Sequence, residues 1–372
     1  LPQPLPDFEV LQSFEEAGKI TKEEFRAYWG NNDTANVYIQ NDVTIYRMTY
    51  QSTGLDGKPI TLSGAILIPK NKAVKSVMAI QHATYFADSE TPSVNQGFSV
   101  VTRKSIFAAN GYIVFLPDYH GYGADAANIH PYHHAESLRY ASKDMLLAGY
   151  EFLQHQEIKI DSKLFLAGYS EGAYATAALQ QSLESKTDFP FTLIASSLGS
   201  GAYNLKATFE AFTSDITQPF GCVPCNAFFL QSYNEVYSIN YSMSDYFLSP
   251  YDQRIADGLF LGNFDATAIA QQLTDEGATL FKPSFIQHYY QGKEVNWENA
   301  LTENSIHDWQ PKHPTFITHN EQDKVAPFFN SQALAELNQR NGNVQFLPIP
   351  NTNHFDGIFQ WGILTMEYFG QF

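Results

Sequence analysis

Charged residues and long apolar runs are both scarce in this chain of 372 residues. Charged side chains make up 16% of the sequence and hydrophobic side chains 44%, a balance that disfavours disorder and predicts a well-packed globule. No apolar run reaches the roughly 18 residues that a membrane-spanning helix requires. The length suits one large α/β domain that carries an insertion.

Cysteine is scarce as well, and the only two cysteines, Cys222 and Cys225, stand close together in "GCVPC". A thioredoxin-type redox motif follows a strand and opens a helix, whereas this one follows "ITQPF" in a phenylalanine-rich stretch. A structural zinc ion would need distant histidines as further ligands. The sequence leaves open whether Cys222 and Cys225 form a local disulfide, as they could in an oxidising compartment.

Basic residues are outnumbered by acidic ones, and the formal net charge is −17. Such a charge is typical of a solvated acidic surface, and it repels phosphate backbones and anionic lipid head groups. The sequence therefore disfavours nucleic acid and stable membrane insertion, and favours a neutral small-molecule or lipid partner. It opens at Leu1 without a readable signal peptide, and with the cysteine pair this favours a mature secreted or periplasmic protein.

Secondary-structure signals alternate along most of the chain. "SFEEAGKITKEEFRAYW" predicts an outer helix with Thr21 as a plausible cap, and "VTIYRMTYQST" and "ITLSGAILIPK" predict a hairpin. Apolar strand runs and helical runs then alternate, beginning with "SVMAIQH" and a helix near "VVTRKSIFAAN", and resuming with "TFITH" and "VQFLPI" near the end. This rhythm predicts an eight-stranded, mostly parallel sheet, antiparallel at its start and flanked by helices.

The alternation of strand and helix signals is absent between about residues 200 and 310, a segment rich in aromatic residues. We interpret residues 200–310 as an inserted, mainly helical cap on a core formed by residues 1–199 and 311–372. Aromatic residues of the insertion are candidates for an apolar acyl pocket, although burial in the packing of the cap is their commoner fate. These residues are Phe209, Phe212, Phe220, Phe228, Phe229, Tyr233, Tyr246 and Phe247.

The segment "KLFLAGYSEGAYATAALQQSLESK" places Ser170 in a G-x-S-x-G motif between a short buried strand and an alanine-rich helix. A nucleophilic serine on a sharp strand-to-helix turn needs this arrangement, and the two flanking glycines let strand and helix approach without a Cβ clash. The sequence therefore predicts that Ser170 is a nucleophile rather than a polar residue in an ordinary turn.

A serine hydroxyl becomes an effective nucleophile when a histidine takes its proton and a carboxylate orients that histidine. Asp323 follows the strand "TFITH", and His354 follows the strand "VQFLPI", so both lie in loops at the carboxyl ends of strands. The order serine, acid, histidine is that of α/β-hydrolases. Glu321 is the rival acid, and Asp323 is preferred because "DKVAP" suits a fixed loop that starts a helix.

Stabilising a tetrahedral oxyanion requires hydrogen-bond donors. We predict that the backbone N–H of Glu171, the residue directly after Ser170, is one donor. The second is expected in the loop "QHATYF", where Thr84 is the candidate. A cluster in "NIHPYHHAES" contains His130, His133 and His134, but it lacks the spacing of a metal-binding helix. It is interpreted as a loop that precedes a helix, so no metal or cofactor is predicted.

Several short motifs follow one another in a characteristic order along the chain. They are "YQSTGLDGKPITLSGAILIPK", "QHAT", "LPDYHGYG", "HPY", "GYSEG", "SLGSGAYNL", "DKVAP" and "NH". Together they resemble the secretory lipase family, and the resemblance covers nearly the whole chain from about residue 20. The resemblance implies an α/β-hydrolase core, a cap inserted before the strand that bears the acid, and hydrolysis of carboxylic esters without a cofactor. It also implies a triad of Ser170, Asp323 and His354, with Thr84 and Glu171 at the oxyanion hole.

The sequence thus predicts a serine esterase or lipase that works through an acyl-enzyme. Two alternatives stay open: a serine peptidase on the same fold, and a catalytically silent binding protein. The sequence does not choose between esterase and lipase, and leaves the oligomeric state open.

Overall fold

The computed structural model describes residues 9–30, 32–70, 74–94, 106–185, 188–218, 221–338 and 342–372. Its centre is one sheet with the strand order β1-β2-β3-β5-β4-β6-β7-β8-β9. The strands are β1 (Leu11–Ile20), β2 (Val43–Thr53), β3 (Pro59–Pro69), β4 (Val77–Gln81), β5 (Ile113–Pro117), β6 (Lys163–Tyr169), β7 (Thr192–Gly199), β8 (Thr315–Asn320) and β9 (Val344–Ile349).

The pairing of strands changes once across this sheet, from antiparallel to parallel at β5. Strands β1, β2, β3 and β5 pair antiparallel with their neighbours, whereas β5, β4 and β6 through β9 run parallel. The predicted hairpin is confirmed, with Val43 of β2 opposite Pro69 of β3 and Thr53 opposite Pro59. The predicted fold class, an α/β sheet that is mostly parallel, is confirmed.

The number of strands and the start of the first helix differ from the prediction. The predicted helix starts at Ser13, but Leu11–Ile20 form the edge strand β1, so the sheet has nine strands rather than eight. Gly18 is a poor helix former, and β2 offers a free edge with which the segment pairs along its length. The helix begins only at Lys22, where Thr21 and Glu24 form a capping box.

Helices cover both faces of the sheet and divide the core into two layers. Helices Ala135–His155 and Glu171–Leu183 belong to one apolar cluster, together with Phe115 and Leu166 of the strands. Helix Gly357–Phe369 belongs to the other cluster, which contains Val114 and Phe165. Neighbouring strand residues enter opposite clusters because side chains alternate along a strand.

The remaining helices of the core are short. They are Lys22–Trp29, Asp33–Asn36 and Phe329–Leu337, with 3-10 turns at Asp88–Glu90 and Gly123–Asp125. The helix predicted near residues 100–110 is only partly within the described residues: residues 95–105 lie outside them, and Ile106 to Ala109 are helical.

The chain between β7 and β8 carries helices and, among its described residues, no extended strand. These helices are Leu205–Thr213, Val223–Val236, Met243–Tyr246, Tyr251–Ala256, Ala266–Ala270, Gly277–Leu280, Pro283–Tyr290 and Val295–Glu303. Trp297 lies at their centre, fully buried, with its indole N–H donating a hydrogen bond to Tyr246. Cys222 and Cys225 form a disulfide just before and within helix Val223–Val236.

Candidate active site

Ser170 lies in a sharp turn between β6 and helix Glu171–Leu183. Its backbone has φ 59° and ψ −124°, a conformation that is strained for a residue with a side chain. The turn is tight because strand and helix nearly touch: a Cβ on Gly168 would lie 2.0 Å from the carbonyl oxygen of Gly172. The two glycines of the motif are therefore required by the packing, as the sequence predicts.

The three side chains predicted as a triad meet at the carboxyl edge of the sheet. The Oγ atom of Ser170 lies 2.8 Å from Nε2 of His354, and Nδ1 of His354 lies 2.6 Å from Oδ2 of Asp323. Their loops follow β6, β8 and β9, and parallel neighbouring strands end at the same edge. Residues that are far apart in sequence thus form one continuous hydrogen-bonded chain.

Backbone groups hold the Asp323 carboxylate in place. Its Oδ1 atom accepts hydrogen bonds from the N–H groups of Val325 and Ala326, at 2.8 and 2.9 Å. Burial by itself would raise the pKa of Asp323, but hydrogen bonds with His319 and His354 lower the pKa well below its usual value. The group is therefore a carboxylate at neutral pH, and the proton on Nδ1 of His354 points at it.

The rival acid, Glu321, does not take this place. It is exposed, and its backbone N–H donates to the carbonyl of Ile349. His319 is fully buried, with Nε2 lying 2.7 Å from the carbonyl oxygen of Ala326 and 3.5 Å from Asp323. His319 thus braces the loop that presents Asp323, a role that the sequence did not indicate.

The sequence also missed two residues that fix the His354 loop. The hydroxyl of Tyr169 donates to the backbone carbonyl of His354 at 2.6 Å, and the Asn320 side-chain amide donates to that hydroxyl at 2.6 Å. Asn320 also accepts a hydrogen bond from Thr352 at 3.2 Å. Tyr169 directly precedes Ser170, and this adjacency was the one signal that could have singled it out.

The loop after β4 lies against the first turn of helix Glu171–Leu183. A Cβ on Gly172 would lie 2.2 Å from the carbonyl oxygen of Gln81 and 2.8 Å from that of His82. Thr84 follows in this loop, and its hydroxyl lies 2.9 Å from that of Tyr132. The structure thus brings the segment of Thr84 beside the start of the helix that contains Glu171, where an oxyanion hole would need both.

The profile of the secretory lipase family matches residues 95–361, well over half of the chain. The chain belongs to the secretory lipase family. Among solved structures, a Legionella pneumophila protein provisionally classed as a hydrolase has a TM-score of 0.86 at 24% identity, covering 98% of both chains. The cell wall degrading esterase LipA of Xanthomonas oryzae has a TM-score of 0.82 at 23% identity, covering 98% of this chain and 96% of its own.

Candida antarctica lipase A, in its closed state, is a more distant structural relative of this chain. The TM-score is 0.64 at 16% identity, over 94% of this chain and 81% of the other. At these identities the three structures show a shared fold. A search of curated proteins finds no match.

Ser170 lines an apolar cleft whose volume, with the open solvent at its mouth included, is about 790 Å³. The lining includes Phe209, Phe212, Phe229, Phe281, Phe285 and Ile286. Three of the predicted aromatic residues thus face the cleft. The others among the described residues, namely Phe228, Tyr233, Tyr246 and Phe247, are buried in packing, and Phe220 lies outside the described residues.

The three histidines of the "NIHPYHHAES" segment make different contacts. His134 caps helix Ala135–His155 by accepting from the N–H of Ser137 at 3.2 Å, and the ring of His133 packs edge-on against Tyr132. His130 pairs with Glu171. Within the described ranges, no three His, Cys, Asp or Glu side chains are arranged to hold a metal ion.

Among the described residues, no helix combines the length and the apolar character needed to cross a bilayer.

Proposed function

We propose that this secretory lipase hydrolyses carboxylic esters through an acyl-enzyme on Ser170. The observation that carries the proposal is the hydrogen-bonded chain from Ser170 through His354 to Asp323. Membership of the secretory lipase family supports an ester as the substrate.

The first half of the reaction forms the acyl-enzyme. Nε2 of His354 takes the hydroxyl proton of Ser170 while Oγ attacks the ester carbonyl carbon. The resulting imidazolium is stabilised by the carboxylate of Asp323. The tetrahedral intermediate then expels the alcohol, whose oxygen takes the proton from His354 as the carbon–oxygen bond breaks.

The second half releases the acid. Water loses a proton to His354 and attacks the acyl carbon, and the bond to Ser170 Oγ breaks as the proton returns to that oxygen. In both halves the carbonyl oxygen carries negative charge, and the N–H groups of Glu171 and Thr84 are proposed to bind it. Such donors contribute most where the site excludes water.

We further propose that residues 200–310 form a cap that holds the acyl group of the substrate. The apolar lining from this segment, including Phe209, Phe229 and Phe285, supports this assignment. Each buried CH₂ is worth about 0.8 kcal/mol, or up to about fourfold in kcat/KM. We therefore expect kcat/KM to rise from acetyl to octanoyl esters, and replacing Ile286 by Trp to move the preference toward shorter chains.

Activity that peaks at acetyl esters in the wild type would contradict an acyl-binding cap. It would favour a short-chain esterase over a lipase. Secretion is proposed on the family membership together with the disulfide, which persists in oxidising compartments.

A fluorophosphonate probe tests the nucleophile directly, because it phosphonylates only an activated serine. The wild type is expected to react at Ser170, as located by peptide mapping, and to hydrolyse p-nitrophenyl esters. Ser170→Ala is expected to lose labelling and to lower kcat by on the order of 10⁴ or more. Ser185→Ala, at an exposed serine after the same helix, is the matched control and should retain both.

Other outcomes separate the remaining functions. Folded wild-type protein that does not react with the probe would contradict serine catalysis and favour a binding protein. Faster cleavage of dipeptide amides than of esters would favour a peptidase.

A further inference from the structure

A buried ion pair lies directly behind the proposed nucleophile. Nε2 of His130 lies 2.7 Å from Oε1 of Glu171, and the residues are 2% and 0% exposed. Glu171 is the first residue of its helix and the one whose backbone N–H is expected to face the oxyanion. A carboxylate therefore lies on the residue next to the place where negative charge must develop.

The hydrogen bonds of His130 define where its protons are. Its Nδ1 atom lies 2.7 Å from the backbone carbonyl of His120, which can only accept, so Nδ1 carries a hydrogen. The Nε2–Oε1 contact needs a second hydrogen, either on an imidazolium or on a carboxylic acid. Burial alone would raise the pKa of Glu171, but the charge and hydrogen bond of His130 lower that pKa below its usual value. Glu171 is therefore a carboxylate, so the hydrogen in the Nε2–Oε1 contact belongs to His130, which with the hydrogen on Nδ1 is an imidazolium.

The surroundings give the carboxylate little other support. Its second oxygen, Oε2, is buried and has no hydrogen-bond partner among the described residues. The ring of His130 lies against aromatic rings, with centroids 4.8 Å from Tyr122 and 5.9 Å from Tyr119. The other titratable groups that act on Glu171 are His82, His133, Tyr119, Tyr122, Tyr132 and Tyr174.

Most of these groups cannot supply a positive charge. Burial lowers the pKa of His133 to about 4, so it is neutral at neutral pH. The tyrosine side chains are neutral or negatively charged, so none of them can supply a positive charge. The ring nitrogens of His82 contact the backbone carbonyls of Ala83 and Asp118, and His82 lowers the pKa of Glu171 less than His130 does. His130 is the group in direct contact with the carboxylate.

We propose that His130 is a positioning residue whose imidazolium neutralises the Glu171 carboxylate. Without it, a buried negative charge beside the oxyanion hole would repel the oxyanion. The inference rests on the proposed function. In a water-poor site, an uncompensated charge beside the helix start would raise the energy of the anionic transition state more than that of the neutral ester. The effect therefore falls on kcat.

The test compares His130→Gln with the double variant His130→Gln/Glu171→Gln. Glutamine keeps an amide donor but no charge, so the single variant leaves the carboxylate uncompensated. We expect kcat to fall about 10- to 100-fold with KM changed less than threefold, a smaller loss than the roughly 100- to 1000-fold that removal of one oxyanion donor causes. The double variant has a neutral amide pair and is expected to recover at least tenfold of that loss. Titration with the fluorophosphonate probe corrects each kcat for the folded fraction.

The pH profile gives a second readout that a purely structural role would not produce. Without His130, the pKa of Glu171 rises because the carboxylate stays buried without its counter-charge. The wild-type to His130→Gln ratio of kcat should therefore grow as the pH rises through that pKa, because the uncompensated carboxylate forms only above it. His313→Asn is the matched control, since His313 contacts Glu184 at 3.2 Å beyond the other end of the same helix.

Each outcome has a defined meaning. An active wild type whose kcat is unaffected by His130→Gln would overturn this inference alone. Loss in the single variant without recovery in the double variant would overturn it too, because the role would then be packing and not charge. A wild type without esterase activity would overturn the proposed function and the inference with it.

Discussion

The hydroxyl of Tyr169 donates a 2.6 Å hydrogen bond to the backbone carbonyl of His354. Tyr169 is the last residue of β6, and the next residue is Ser170. The strand that positions the proposed nucleophile therefore also fixes the loop of the proposed base, through a tyrosine that receives a hydrogen bond from Asn320. The proposed base and nucleophile therefore share one structural support.

Replacing Tyr169 by Phe should separate these two elements. The loss of one buried hydrogen bond is expected to cost about 1 kcal/mol of unfolding free energy. The freed loop should lower kcat by about tenfold, since misplacing a reacting group by a fraction of an ångström is costly. Denaturant unfolding and ester kinetics measure the two effects. Tyr112→Phe, a buried tyrosine at the amino end of β5, is the control, and equal kcat losses in both variants would contradict the support role.

Replacing Asp323 by Asn tests the orientation of His354. The amide of Asn would donate toward Nδ1 and favour the tautomer with its hydrogen on Nε2, which cannot accept the proton of Ser170. We expect kcat to fall by on the order of 10⁴ while the fold is retained. Stopped assays with p-nitrophenyl esters measure the loss. Glu321→Gln should behave like the wild type, and a greater loss there than in Asp323→Asn would reverse the assignment of the acid.

Two glycines on helices provide a test of close packing. Gly172→Ala places a Cβ 2.2 Å from the carbonyl oxygen of Gln81, so backbone must shift. We expect a loss of about 2 kcal/mol in unfolding free energy, together with reduced kcat because the loop before Thr84 moves. At Gly362 a Cβ would meet no atom within 4 Å, so Gly362→Ala should gain about 0.5–1 kcal/mol from helix propensity. Thermal unfolding that ranks the two variants in the opposite order would contradict this packing.

The buried carboxyl of Asp118 predicts a pH-dependent term in stability. Burial raises its pKa from 3.8 to about 6, against opposing hydrogen bonds from Ser63 and Ser93. The folded protein thus keeps this proton at a pH where the unfolded chain has released it, so the group costs stability as the pH rises from about 4 to about 6. Asp118→Asn removes the cost. Its unfolding free energy relative to the wild type should improve by about 2–3 kcal/mol between pH 4 and 7, and a constant difference would contradict the raised pKa.

Local patterns were sufficient for much of the fold. The apolar strand runs, the hairpin and the turn around Ser170 could be predicted because backbone conformation there depends on neighbouring residues and on glycines with no room for a Cβ. Ser170, Asp323 and His354 could also be predicted as a triad in this order, since each follows a predicted strand. The segment Leu11–Ile20 was not, because its own residues permit a helix and only the free edge of β2 favours a strand.

The sequence by itself determined which residues could perform nucleophilic chemistry and at which edge of a parallel sheet they would end. Only the tertiary structure decided that Asp323 and not Glu321 reaches His354, that Tyr169 holds the His354 loop, and that His130 faces Glu171. The contacts of Tyr169 and His130 join residues 41 or more positions apart in the sequence. The choice between Asp323 and Glu321, which are near neighbours, depends on the geometry of their loop. Their energies come from contacts that exist only once the sheet is assembled.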